Sequence, residues 1–231
     1  MKKYELLKDD TITVKYHTLY RIHAIRTFGD IQEGTLGGYI ENENNLSHDG
    51  NCWVYDNAKV YGMSMVLDNA IVMNDTIIEG NSFVSDNAKV CGHAKISDAS
   101  VGDYARVGGR ASVLHNSMVY GYARMQDGII TNTTLINDAY IFNNDVTIID
   151  GKLASNKDYM FVLCNIDIIR GITFFKCHDD EIKLIYETST GHITSPKTLK
   201  EFIKYIKCTY SKSVYKDFCN IIKMVKCHFS I

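Results

Sequence analysis

Few side chains in this sequence are spaced for chemistry. Lys89, Arg106 and Arg124 stand 17 and 18 residues apart, an interval that returns cations to one place only if the chain itself repeats. Stacked cations repel each other unless acids or an anionic ligand lie close. A guanidinium fork suits phosphate, so this trio is the candidate ligand site, with a solvated face paired to carboxylates as the plain alternative. His115 is the residue to consider as a general base on a hydroxyl or amine. His48 and His93 have no obvious acidic partner. Cys177-His178, Cys208, Cys219 and Cys227-His228 offer soft ligands without paired zinc spacing, so packing is expected and no metal. The seven cysteines form no CxxC, and Gly37-Gly38 lies in neither a GxGxxG nor a Walker pattern. No Ser–His–Asp or paired-carboxylate arrangement follows from spacing.

The elements that would position these residues repeat every six residues. Small residues recur at Cys52, Ala58, Ser64, Ala70, Thr76, Ser82, Ala88 and Ala94. Two residues after each comes Val54, Val60, Val66, Val72, Ile78, Val84, Val90 or Ile96. Two further on stands Asp56, Gly62, Asp68, Asn74, Gly80, Asp86, Gly92 or Asp98. After a five-residue step the pattern resumes through Ala99-Val101-Asp103, Ala105-Val107-Gly109, Ala111-Val113-His115, Ser117-Val119-Gly121 and Ala123-Met125-Asp127. After another it continues as Gly128-Ile130-Asn132, Thr134-Ile136-Asp138, Ala139-Ile141-Asn143 and Val146-Ile148-Asp150. Short strands alternate faces, so the small and aliphatic residues both point inward. Gly, Asn and Asp tolerate the left-handed backbone a sharp corner requires. The pattern predicts seventeen strands, three to a coil, stacked as parallel sheets.

The lead-in Leu19–Ser47, the segment GNCWVYDNAKVYG, the repeated DNA units at Asp56, Asp68 and Asp86, and the tail TFFKCHDDEIKL carry a resemblance. The chain resembles the hexapeptide-repeat, left-handed β-helix superfamily, and within it a phage and bacterial subgroup often labelled transferase-like. The resemblance implies a mainly β fold: a left-handed parallel β-helix with a β N-terminal cap and a small α+β C-terminal domain. Expected boundaries are 1–45 for the cap, 46–156 for the β-helix and 157–231 for the C-terminal domain. Residues 11–28 read as two strands covering the first coil. In the tail, Ser195-Pro196 reads as a helix start and a second amphipathic helix follows.

Every third strand shares a face. One face carries an apolar stripe of Met65, Leu67, Phe83, Met118, Tyr120 and Leu135, which predicts a partner. Closed oligomers are the usual solution, and the resemblance implies a homotrimer. The alternative is that the C-terminal domain folds over the stripe. A net charge of −2 gives no pull toward duplex nucleic acid or membrane. No apolar run approaches membrane-spanning length, and the start MKKYELLKDD lacks a leader's apolar region, so a cytoplasmic location is expected. The phage resemblance implies host cytoplasm and an antagonist of bacterial defence, sequestering an anionic nucleotide-derived signal or binding a defence protein. The expected function is therefore non-catalytic binding without a cofactor. The alternative is a coenzyme-A-dependent hexapeptide-repeat acyltransferase using acetyl-CoA and His115. Active transferases of this kind usually interrupt their coils with a long loop, and none appears between residues 52 and 150.

Overall fold

Six-residue repeats close a coil every three strands because each corner turns the chain without consuming inward positions. The computed structural model describes residues 1–142 and 146–231; the corner expected at Asn143 lies outside the described residues. The fold is a left-handed parallel β-helix of about six turns. Its strands are two or three residues long, and the inward aliphatics Val54, Val60, Val72, Val84, Val90 and Val107 have no solvent exposure. Each such side chain contributes about 1.5–3 kcal/mol by leaving water. The corners do two jobs. Asp56, Asp68, Asp86 and Asp103 hold positive φ. Their carboxylates also accept an N–H from the corner one coil on: Asp56 from Asn74 at 2.9 Å, Asp103 from Gly121 at 2.9 Å. A glycine corner supplies the conformation alone, which explains why short acids and amides alternate with glycine.

Three parallel faces result. The cationic face aligns Trp53, Ile71, Lys89, Arg106, Arg124 and Tyr140 strand on strand. The apolar face aligns Met65, Phe83, Ser100, Met118, Thr134 and Lys152. The long face runs through Lys59, Ile77, Lys95, Ser112, Ile129 and Thr147. It is extended by β1 (Tyr4–Val14), β2 (His17–Ala24) and β3 (Leu36–Ile40), the first two antiparallel and β3 already parallel to the coil.

The register differs from expectation in the fifth coil. Thr133 and Leu135 are the buried pair and Asn137 holds the corner, not Thr134, Ile136 and Asp138. Adjacent Thr-Thr and Leu-Ile allow both readings, and a one-residue slip exchanges faces. The structure settles it by stacking Leu135 between Val119 and Leu153. The left-handed residue near Asp127 is Gly128, and Lys152–Leu153 adds an eighteenth coil strand.

Both coil ends are closed. At the first, Trp53 is buried against the rings of Tyr4 and Phe28, 6.2 and 5.5 Å away. Lys3 is buried beside them, donating to the carbonyls of Asp49, Gly50 and Cys52 at 3.0–3.4 Å. At the other end stands an antiparallel sheet of Tyr159–Ile166, Ile169–Lys176, Ile182–Thr188 and Lys197–Thr198. Alternation splits its side chains: Phe175 and Ile185 join the coil core, while Phe174 and Leu184 join Phe202, Ile206, Phe218 and Val225 of the helices. Those helices are α1 (Leu199–Thr209) and α2 (Lys212–Phe229). Helix α1 starts at a Thr198–Glu201 capping box rather than at Ser195-Pro196, because Lys197–Thr198 first adds an edge strand. This sheet closes the coil end and leaves the apolar face open.

Candidate functional site

Strand register sets Lys89, Arg106 and Arg124 side by side on three successive coils. All three are exposed, and among the described residues none makes an ion pair within 4.0 Å. Among the described residues the column therefore lacks the carboxylates that a neutralised solvated face would supply. It borders a groove of about 370 Å³ floored by Cys91, Gly108 and Gln126. Gly108 keeps that floor low: a Cβ there would stand 3.2 Å from the Cys91 sulfur. Three cations in a column beside a groove can hold an elongated polyanion.

His115 lies elsewhere, at a corner between the long and apolar faces. It and Asn116 both hold positive φ, 43° and 58°. Its backbone is fixed by an N–H donated to Ser97 O at 3.0 Å, but its exposed ring has no hydrogen-bond partner among the described residues. A general base needs an orienting partner to hold one tautomer; His115 has none.

Sequence reasoning missed a better-organised cluster on the long face. His17 Nδ1 lies 2.8 Å from Glu41 Oε1, and the other Glu41 oxygen accepts the Gly62 N–H at 2.8 Å. Burial pushes the Glu41 carboxyl up, but those two hydrogen bonds outweigh it and hold it below the usual range. Nearby, Glu79 is almost buried and accepts from Lys15 at 2.6 Å, Lys95 at 2.8 Å and the Tyr61 hydroxyl. Burial pushes its carboxyl up, yet the three donors prevail and bring it down to about 2. Burial, reinforced by Glu79, pushes the Tyr61 phenol well above its usual value. His17, Lys15, Tyr61 and Glu79 line a cleft of about 410 Å³. A carboxylate-oriented imidazole at a cleft is the geometry of a general base. This cleft and the cationic groove occupy different faces of one chain.

Of the apolar stripe, Phe83 and Met118 are 36% and 43% exposed, and Met65, Leu67 and Tyr120 are half-buried. The Tyr120 ring lies over Gly102, where a Cβ would come within 2.5 Å of it. Leu135 is not on this surface. It is fully buried in the coil, the consequence of the register shift. The seven cysteines are free thiols, with Cys52, Cys164 and Cys177 buried. Among the described residues no group of three His, Cys, Asp or Glu side chains could hold a metal, and no helix is long and apolar enough to cross a membrane.

No protein-family model matches the chain. Over 77 residues the sequence is 38% identical to YdcK, an uncharacterized acetyltransferase of Escherichia coli (strain K12). The match covers 30% of this chain, which spans about a quarter of that relative's length. The coil geometry decides the fold. It is the hexapeptide-repeat left-handed β-helix. Among the described residues the corners of this coil are short, so its faces offer grooves and columns.

Proposed function

We propose that the protein is an acyltransferase that draws its acyl group from coenzyme A and holds the donor's phosphates on Lys89, Arg106 and Arg124. The observation that carries this reading is the cation column beside its groove, on a fold whose sequence is similar over 77 residues to a protein named as an acetyltransferase. In the reaction, the acceptor's amine or hydroxyl attacks the thioester carbonyl and loses a proton to a base. The carbon–sulfur bond breaks, and the coenzyme leaves as a thiol. Cations along the groove would anchor the donor through charge-assisted hydrogen bonds, worth about 1.5–3 kcal/mol each.

The test is calorimetry with acetyl-CoA alongside a free-thiol assay on small amine acceptors. Wild type is expected to bind saturably and release thiol. The Arg106→Ala/Arg124→Ala variant is expected to bind about a hundredfold more weakly, on the order of 3 kcal/mol. Absence of saturable binding by wild type overturns the proposal.

The second reading, a non-catalytic binder that sequesters an anionic nucleotide-derived signal, uses the same groove. The observation favouring it is the unoriented ring of His115. The similarity to an acetyltransferase favours acyl transfer over it, and over an antagonist of bacterial defence. Binding without thiol release would reverse that order.

A further inference from the structure

The corner that leads into the cationic face carries its own vertical column of side chains. Backbone bonds from Asn87 to Asp103, Tyr104 to Gly121 and Tyr122 to Asn137 stack these corners one above another. Asn51, Asn69 and Asn87 form an amide ladder, with Nδ2 to Oδ1 distances of 3.3 and 3.4 Å. The ladder then changes character. Tyr104 and Tyr122 stack with centroids 5.2 Å apart and ring planes 10° from parallel. Both rings are largely in solvent, 54% and 61% exposed. Each precedes a column cation by two residues: Tyr104 and Arg106, Tyr122 and Arg124, as Asn87 precedes Lys89. Alternation turns the residue between them inward, to the buried Ala105 and Ala123, so tyrosine and arginine project outward as neighbours.

We infer that Tyr104 and Tyr122 are the base-stacking half of a nucleoside diphosphate site whose phosphates lie on the cation column. The inference rests on reading that column as a phosphate site. Aromatic rings beside a track of cations are the arrangement that binds a nucleotide through its π-face and its backbone charge together. The two rings are too close to admit a base between them, so stacking uses an outer face. The neighbouring corners differ. Beyond Tyr122 the next corner residue is the exposed Asp138, which accepts no hydrogen bond among the described residues and repels phosphate. Below Tyr104 it is Asn87, shorter than the ring and on the same rung as Lys89; the carboxylates of Asp86 and Asp103 beside it are each engaged by a backbone N–H, of Asp103 and Gly121. A base on that face of Tyr104 meets the Asn87 amide at its edge, and its phosphates reach Lys89 and Arg106.

The test is calorimetry of the full chain with ADP and with inorganic pyrophosphate. Three proteins are compared: wild type, Tyr104→Ser/Tyr122→Ser and Tyr104→Phe/Tyr122→Phe. Wild type is expected to bind ADP about tenfold or more tighter than pyrophosphate, the value of one stacked base. The serine variant should lose that margin while binding pyrophosphate unchanged, and the phenylalanine variant should keep it. Equal ADP affinity in wild type and the serine variant overturns the inference, as does wild-type ADP binding no tighter than pyrophosphate. The thiol-release assay separates the two proposals. Tyrosine-dependent ADP binding without acyl transfer leaves this site standing and removes the acyltransferase; acyl transfer with ADP affinity indifferent to the tyrosines does the reverse.

Discussion

Glu79 is an outward-facing carboxylate that the N-terminal hairpin has covered, with Lys15 reaching across from the turn of that hairpin and Lys95 from the next coil. Because its folded value lies near 2 against an ordinary 4.5, it stabilises the fold fully above about pH 4.5. That contribution is lost as pH falls toward 2, and its size is roughly 3 kcal/mol. Glu79→Gln should therefore destabilise the protein strongly at neutral pH. In urea unfolding the gap from wild type should close as the pH approaches 2; a gap independent of pH would show that the ion pairs do not set it. At His115 the expectation is the opposite of a catalytic residue. His115→Ala should leave acyl transfer intact, since no described residue orients the ring, and abolished turnover would move the base to that corner. The His17–Glu41 pair escapes sequence reading for a simple reason. Its members are 24 residues apart, and only the pairing of β2 with β3 brings them together. By contrast Lys89, Arg106 and Arg124 are legible beforehand because the repeat itself supplies their register.

The coil strands show how far period alone reaches. Where small and aliphatic residues are single, as at Ala88-Lys89-Val90, inward and outward positions follow directly from spacing. Val90→Asp should place an unpaired charge in the prism and unfold the central coils, whereas Lys89→Asp should melt like wild type. Equal melting shifts would reject the register. Where candidates are doubled, as at Thr133-Thr134 and Leu135-Ile136, spacing is indifferent and packing decides. Leu135→Ala should cost about 2–5 kcal/mol in denaturant unfolding, and Ile136→Ala a small fraction of that. The ends are less legible still. The first strand of the cap begins at Tyr4 rather than near Thr11, and the acidic stretch Lys8-Asp9-Asp10 is a bulge where pairing to β2 lapses between Leu7 and Thr11, with Asp10 accepting from Arg21 at 2.9 Å.

At the scale of the whole molecule, the terminal sheet and helices close one end of the coil and leave Phe83 and Met118 in water on its side. If that face joins copies of the chain, Phe83→Glu/Met118→Glu should sediment as a smaller particle with unchanged β-type circular dichroism. An unchanged mass would place any interface elsewhere. Stacked repeats touch only their neighbours, so the integrity of such a structure depends on how well its first and last layers are held. At the first layer stands Lys3, a primary amine with no exposure and, among the described residues, no carboxylate within 4.0 Å, whose charge burial disfavours. An amine-reactive label reaches a lysine only when it is both solvent-accessible and unprotonated. Surface lysines such as Lys89 should thus react within the labelling time, while Lys3 should react only as often as the hairpin lifts away from Trp53. Peptide mapping after timed acetylation would turn that one residue into a clock for local opening at the coil's N-terminal end.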